Sequence, residues 1–203
     1  MPCMDDDVER RGRPTVHVAF GEAIAVLAGD ALLAAAFEVL GRGAPGLPAE
    51  ALLFAARDLA HAAGSLALVG GQVDDLAFEA ASASLASVES IHERKSAALI
   101  AASIVGGARL GGASAPLLER LRRFGVAVGI AFQIADDLLD ERQDGAEEKG
   151  GDAGCSLVPL VGEKAARERA ETLLASALLW IDDLGERAEP LRELARFAVR
   201  RDR

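Results

Sequence analysis

Hydrophobic residues fall in long, almost continuous runs, and short breaks rich in glycine and proline separate these runs. Runs of this length indicate helices, because strands are shorter and alternate apolar with polar positions. The predicted helices cover residues 18–40, 49–69, 88–107, 116–142, 157–161, 164–184 and 190–200. Residues 1–16 have the composition of a loop, and no alternation of strands with helices occurs. The pattern therefore predicts an all-α, single-domain helix bundle over residues 1–203.

The helix at 116–142 is apolar on almost every face between residues 125 and 135, so we expect it to be buried in the bundle. Three carboxylates follow: Asp136, Asp137 and Asp140. At about 3.6 residues per turn, Asp136 and Asp140 lie on one face, with Asp137 beside them and Gln133 one turn earlier. Burying such charges costs several kcal/mol each by rough account. The cluster is therefore either a solvated helix end or a site neutralised by cations, and oxygen ligands of this kind suit Mg²⁺.

A second pair, Asp182-Asp183, closely precedes Gly185. It is typical of the polar end of an amphipathic helix that glycine terminates. We interpret this pair as structural.

Near the N-terminus, acids including Asp5 stand next to Arg10 and Arg11. Such a run is either a solvated surface or a metal ligand set beside a diphosphate clamp, since arginine matches phosphate oxygens bidentately.

In two further segments, polar side chains stand directly after paired glycines or directly before an apolar run. Gly70-Gly71 precedes Gln72 and Asp75 and predicts either an ordinary turn or a bend that lines a pocket. Lys95 is the last charge before an apolar run, so its side chain either extends to the surface or meets a buried anion.

Composition narrows the class of protein. The chain is 51% hydrophobic but only 4% aromatic, with no tyrosine, which favours helices over strands. A net charge of −10 without a basic block argues against nucleic acid as a partner. The N-terminus has no signal peptide, and charged residues interrupt the apolar windows at 19–40 and 98–118, so we expect no membrane span. Two cysteines make no disulfide framework, which fits the cytoplasm.

Several motifs, in order, resemble the trans-isoprenyl diphosphate synthases, or polyprenyl synthetases, of the geranylgeranyl and farnesyl diphosphate synthase type. They are Met4-Asp5-Asp6-Asp7 with Arg10-Arg11-Gly12-Arg13-Pro14-Thr15, Phe20-Gly21-Glu22-Ala23, Leu27-Ala28-Gly29-Asp30, Gly71-Gln72 with Asp75, His92 to Lys95-Ser96, and Phe132-Gln133 with Asp136-Asp137 and Asp140. The resemblance covers nearly the whole chain and implies an antiparallel bundle of the isoprenoid synthase type.

The resemblance also implies a reaction, in which Mg²⁺ grips an allylic diphosphate and the allylic cation is attacked by isopentenyl diphosphate. It makes Asp5, Asp136, Asp137 and Asp140 metal ligands, directly or through water. It gives Asp136, Asp137 and Lys95 catalytic roles, and it places Arg10, Arg11, Lys95, Gln72, Gln133 and Lys149 in substrate binding. Of these, Arg10 and Lys95 hold the allylic diphosphate and Arg11 the isopentenyl diphosphate. We also expect a cytoplasmic homodimer.

The sequence departs from the family pattern at both ends of the site. The first two aspartates of the first motif and the helices before it are absent, so we expect an N-terminally incomplete bundle whose exposed apolar face promotes dimerisation. Cys155 stands where a second phosphate-binding lysine is expected. Three hypotheses follow: a prenyltransferase whose sequence starts late, an impaired homologue that serves as a partner subunit, and a class I terpenoid diphosphate lyase.

Overall fold

The structure of the protein is a computed structural model that describes Met4, residues 6–144 and residues 155–201. Within these residues the chain is helical apart from one hairpin of two-residue strands, which confirms the all-α prediction. The chain divides into two units, Met1–Leu52 and Leu53–Arg203. The expected single domain over residues 1–203 stays a prediction.

Unit 1 begins with a hairpin where the sequence predicted only loop. Strand β1 (Glu9–Arg10) pairs antiparallel with β2 (Arg13–Pro14). The two turn residues, Arg11 and Gly12, have φ of +55° and +72°. A tight hairpin turn of this hand requires positive φ at both central residues, and glycine adopts it without strain. The hairpin therefore forms at the one glycine in the arginine-rich segment.

Two helices complete unit 1. Helix α1 covers Val16–Phe20 and α2 covers Glu22–Arg42, in place of the one predicted helix at 18–40. Gly21 separates them with a φ of +86°. No residue of α2 is buried, although the helix is largely apolar.

Helix α3 (Ala49–Ala63) begins in unit 1 and continues into unit 2, which contains the remaining helices. These are α4 (Leu68–Leu76), α5 (Leu85–His92), α6 (Ala98–Leu110), α7 (Ala115–Asp144), α8 (Val158–Val161), α9 (Glu163–Leu179) and α10 (Glu189–Arg200). A π-helical turn, Glu93–Ala97, joins α5 to α6, and 3₁₀ turns cover Ala80–Ser82 and Asp182–Ala188.

The predicted helix at 49–69 is interrupted, and Gly70-Gly71 lies inside α4 rather than at a turn or bend. The chain folds back so tightly before α4 that a Cβ atom at Gly70 would lie 2.1 Å from the Ser65 carbonyl oxygen. The glycine pair thus marks a close backbone approach, and the turn comes a few residues earlier.

The predicted helix at 164–184 ends at Leu179 because arginine side chains take up the backbone carbonyls that follow. Arg120 donates to the Trp180 carbonyl oxygen at 2.8 and 2.9 Å, and Arg192 donates to the carbonyl oxygens of Ile181 and Asp182. Arg120 also forms an ion pair with Asp183. The Asp182-Asp183 pair therefore has structural contacts, as the sequence predicted.

The core of unit 2 is built around α7, which packs against α6, α9 and α10. Phe124 and Ile134 on α7 are fully buried together with Leu174 on α9 and Ile181 after it. This confirms the prediction that the middle of the 116–142 helix is enclosed.

Two glycines on α7 set the distance to the neighbouring helical segments. A Cβ at Gly129 would lie 2.3 Å from Ala97 Cα, and a Cβ at Gly125 would lie 2.7 Å from Ala101 Cα. Since real Cβ atoms never approach so closely, only glycine permits this packing. The approach brings Gln133, one turn beyond Gly129, up to Ser96 beside Ala97.

By length and composition, two helical stretches could cross a membrane: Glu22–Arg42 and Ala49–Leu76. The second differs from the apolar window at 98–118 picked out from the sequence. Core helices of soluble proteins meet the same criterion, so two such stretches are weak evidence. The expectation of no membrane span stays a prediction.

Candidate functional site

The site begins where α4 meets the π-helical turn in unit 2. A Cβ at Gly71 would lie 2.4 Å from the Lys95 backbone nitrogen, so glycine is required for the two segments to touch. The contact places the Asp75 carboxylate beside the Lys95 ammonium, with 2.7 Å between Asp75 Oδ2 and Lys95 Nζ. Gln72 donates from Nε2 to the same oxygen at 3.2 Å.

This ion pair decides between the two interpretations of Lys95. Its side chain is only 23% exposed and meets a carboxylate that is 11% exposed, so it binds a buried anion rather than extending to the surface. The residues directly before Lys95 and Asp75 form a second ion pair between the same two segments, Arg94 with Asp74. A π-helical turn often marks a functional site, and no feature of the sequence predicted it here.

A second set of polar contacts joins the π-helical turn to α7. Ser96 Oγ donates to Gln133 Oε1 at 2.5 Å, and Gln133 Nε2 donates to Asp137 Oδ1 at 3.3 Å. The other Asp137 oxygen, Oδ2, accepts the Leu157 backbone N–H at 3.1 Å. Gln133 and Asp137, one turn apart, therefore point inward from α7.

His92, at the end of α5, lies beneath these contacts and is 1% exposed. Its Nε2 atom is 3.2 Å from the Cys155 carbonyl oxygen and 3.5 Å from Asp137 Oδ2. Its Nδ1 atom is buried and has no hydrogen-bond partner within the described residues. Nothing in the sequence predicted this placement beyond the position of His92 in the segment that leads to Lys95.

The segment from Cys155 to Leu157 ties the two sets of contacts together through its backbone. The Cys155 N–H donates to Asp75 Oδ1 at 3.1 Å, while the Leu157 N–H binds Asp137. Each buried carboxylate thus fixes one end of this segment.

Asp136 and Asp140 lie on a different face of α7 from Asp137. Asp136 forms an ion pair with Arg201, whose guanidinium also lies 4.4 Å from the centre of the Phe132 ring. Asp140 is exposed, whereas Asp137 is only 8% exposed. The three carboxylates expected side by side are therefore split, because a step of one residue rotates a helix by about 100°.

Burial raises the pKa of the Asp137 carboxyl, and the neighbouring Asp136 charge adds to this shift. His92, the Leu157 N–H and Gln133 oppose it. The assignments of Asp137 as metal ligand and catalytic residue stay predictions.

Within the described residues, no three His, Cys, Asp or Glu side chains form a group that could hold a metal ion. Mg²⁺ is usually held by one or two carboxylates and completes its shell with waters and phosphate oxygens. The row of Asp136 and Asp140 supplies two carboxylates of this kind.

A groove of about 760 Å³ lies in unit 2 next to these residues. Glu93 and Arg94, directly before Lys95, are among the residues that line it. Its apolar lining residues are Ala62, Leu66, Ala67, Ala98, Ala101, Ala102, Val105, Ala115, Leu118 and Val126. Its other charged or polar lining residues are Arg57, Asp58, His61, Arg109, Glu119 and Arg122. A volume in this range is typical of a ligand cavity.

Comparison with known proteins decides the family. The family model described as polyprenyl synthetase matches residues 3–157, most of the chain. The chain belongs to the polyprenyl synthetase family. This confirms the resemblance found in the motifs.

Relatives and solved structures agree with this family. A chloroplastic geranylgeranyl pyrophosphate synthase of Catharanthus roseus is 42% identical over 211 residues, covering 100% of this chain and 59% of its own. A farnesyl/geranylfarnesyl diphosphate synthase crystal structure from Zymomonas mobilis superposes with a TM-score of 0.85 at 38% identity, covering 98% of this chain and 69% of its own. A Helicobacter pylori geranyltransferase, crystallised with magnesium and isoprenyl diphosphate, gives 0.80 at 34% identity, with 98% and 66% covered. This chain thus spans less than two thirds of the length of the C. roseus relative.

The structure brings together only part of the predicted polyprenyl synthetase site. Gln72, Lys95, Gln133 and Asp137 converge in unit 2, with Asp136 and Asp140 on the adjacent face of α7. Arg10 and Arg11 belong to the hairpin of unit 1 and are exposed. Asp5 and Lys149 lie outside the described residues. Asp75, His92 and Arg201 were not among the predicted site residues, and the contacts that place them here link segments far apart in sequence.

Cys155 is predicted to be chemically inert in the folded chain. Burial raises the pKa of its thiol to about 12, and the nearby carboxylates of Asp75 and Asp137 add to the effect. At pH 8 the thiolate is then a roughly thousandfold smaller fraction than for an ordinary thiol. In a Cys3→Ser background, we expect iodoacetamide to alkylate the folded chain about a thousandfold more slowly than the urea-unfolded chain, as measured by mass spectrometry.

The same shift sets a pH dependence of stability. Because the folded chain ionises this thiol at higher pH than the unfolded chain, the free energy of unfolding falls as the pH rises from about 9 to about 12. Cys155→Ala should lack this part of the decline. Equal alkylation rates in the folded and unfolded chains would contradict the predicted inertness of the Cys155 thiol.

Proposed function

We propose that this polyprenyl synthetase chain is a magnesium-dependent prenyltransferase, which condenses an allylic diphosphate with isopentenyl diphosphate. The observation that carries the proposal is the convergence of Lys95 and Gln133 on the carboxylates of Asp75 and Asp137, with Asp136 and Asp140 on the adjacent face of α7. A cation, an amide and carboxylates around one helix are the groups needed to bind a diphosphate with its metal. The C. roseus and H. pylori relatives, whose names describe prenyl diphosphate chemistry, support the same class of reaction.

In this proposal Asp136 and Asp140 hold magnesium. The metal, when bound, offsets the negative charge that grows on the departing diphosphate. Lys95 keeps its bond to Asp75 and still has donors for phosphate oxygens, because an ammonium carries three N–H groups. Gln133 and Gln72 line the diphosphate site. Arg10, Arg11, Lys149 and Asp5 keep the roles that the family resemblance gives them.

The alanine-lined groove is the proposed site of the hydrocarbon tail. Its alanine, leucine and valine side chains give an isoprenyl chain apolar surface to bury against, beside the charged side chains that also line the groove. Glu93 and Arg94, which also line the groove, directly precede Lys95 in the sequence.

We further infer a cytoplasmic homodimer that does not span the membrane. Helix α2 carries exposed apolar side chains, including Ile24, Leu27, Leu32, Leu33 and Val39. An apolar face of this extent favours a protein partner, and a second copy covers it in this proposal. Light scattering that gives the mass of a monomer would contradict the dimer.

The test is prenyl transfer by the 203-residue chain. The assay contains Mg²⁺, a short allylic diphosphate and ¹⁴C-labelled isopentenyl diphosphate, with an EDTA control. We expect label in a longer isoprenyl product and none with EDTA. Diphosphate release without isopentenyl diphosphate would instead support the lyase hypothesis. No turnover, together with co-purification with a full-length synthase, would support the partner-subunit hypothesis.

A further inference from the structure

The buried histidine at the end of α5 has a fixed hydrogen-bonding role. His92 Nε2 faces the Cys155 carbonyl oxygen at 3.2 Å and Asp137 Oδ2 at 3.5 Å. A carbonyl oxygen only accepts hydrogen bonds, so the proton of the imidazole lies on Nε2. His92 therefore donates toward the point where Asp137 and the Cys155–Leu157 segment meet.

Asp137 is engaged by protein donors on both of its oxygens. Gln133 Nε2 binds Oδ1, while the Leu157 N–H binds Oδ2 and His92 approaches the same atom. At 8% exposure the carboxylate is enclosed, in contrast to the exposed Asp140 on the adjacent face. Protein donors thus hold the Asp137 carboxylate in place.

The carboxylate in turn fixes the orientation of Gln133. Since Asp137 only accepts, the Gln133 amide must turn Nε2 toward it and Oε1 toward Ser96, whose hydroxyl donates at 2.5 Å. The second N–H of the amide keeps a defined direction as a result. A hydrogen-bonded series thus runs from His92 to the Cys155 carbonyl oxygen at one end of the Cys155–Leu157 segment, and from the Leu157 N–H at the other end through Asp137 to Gln133.

We propose that His92 is a positioning residue, which holds the Cys155–Leu157 segment in place so that Asp137 orients Gln133. For its effect on prenyl transfer the proposal rests on the proposed function, but the orientation of Gln133 is a property of the protein alone.

The first experiment reads the orientation of Gln133. In chain labelled with ¹⁵N-glutamine, the Gln133 side-chain amide signals are assigned with Gln133→Leu. His92→Leu removes the donor, whereas His92→Gln places an amide N–H near the position of Nε2. We expect the Gln133 signals to move in His92→Leu and to return in His92→Gln. Signals that stay unchanged in His92→Leu would overturn the positioning role.

The NMR readout separates this proposal from the proposed function. If the wild-type chain transfers no prenyl group, the proposed function fails, and the NMR comparison still judges His92. Where prenyl transfer is measurable, we expect His92→Leu to lower kcat roughly tenfold or more, since small misplacements of a binding group are costly. The Mg²⁺ concentration for half-maximal rate should not change, and His92→Gln should restore the rate.

Discussion

Replacing Asp136 with asparagine is expected to lower the rate of prenyl transfer by about a thousandfold or more. The substitution keeps the size of the side chain and removes one negative charge from the proposed magnesium row of α7. Loss of a group that stabilises charge in the transition state costs several kcal/mol, and about 1.4 kcal/mol corresponds to tenfold in rate. The measurement is incorporation of labelled isopentenyl diphosphate at several Mg²⁺ concentrations. The variant should need far more Mg²⁺ than wild type.

Two controls separate the metal role from other effects of this change. Asp182→Asn alters an exposed aspartate of a similar Asp-Asp pair, and we expect no change in rate. Arg201→Gln breaks the same ion pair that Asp136 makes but leaves the carboxylate, so its effect should be much smaller. If Arg201→Gln and Asp136→Asn lowered the rate equally, the ion pair rather than metal binding would explain the loss.

Most of the helices were predictable because their cause is local. A run of apolar residues that ends at glycine or proline specifies a helix through propensity and burial, and α7 was predicted within a few residues. The errors arose where distant side chains decide. The helix expected to reach residue 184 ends at Leu179, since Arg120 and Arg192 take its carbonyl groups. No local rule could place those arginines there.

The same division applies to the candidate site. Helical spacing alone puts Asp140 in line with Asp136 and Asp137 in line with Gln133. Which of the two rows faces inward depends on packing against the segment at Leu157 and on His92, which is 45 positions before Asp137 in the chain. The pairing of Lys95 with Asp75 likewise requires α4 to touch the π-helical turn at Gly71. The sequence alone allowed the Lys95 side chain either to meet a buried anion or to extend to the surface. Only the tertiary contact with Asp75 decides between the two.

Gly129→Ala is expected to destabilise the fold by about 3 kcal/mol, although alanine favours helices. The new Cβ would lie 2.3 Å from Ala97 Cα and 2.5 Å from Ala97 Cβ, so α7 and the π-helical turn would have to separate. Overpacking of this kind typically costs about 1–3 kcal/mol or more, and it outweighs the roughly 1 kcal/mol gained in helix propensity. At about 2–4 °C per kcal/mol for a chain of this size, Tm should fall by about 10 °C. Thermal unfolding followed by circular dichroism measures this.

Gly107→Ala is the matched control, because Gly107 lies inside α6 and nothing stands within 4 Å of its Cβ position. It carries the same propensity gain without the clash, so it should raise stability by up to about 1 kcal/mol. Ala97→Gly added to Gly129→Ala should restore only part of the loss, since the nearest atom is a backbone Cα that the second change leaves in place. Equal stability of the two single variants would show that the helices can separate at no cost. The Ser96–Gln133 hydrogen bond, one turn from the clash, would then not depend on this packing.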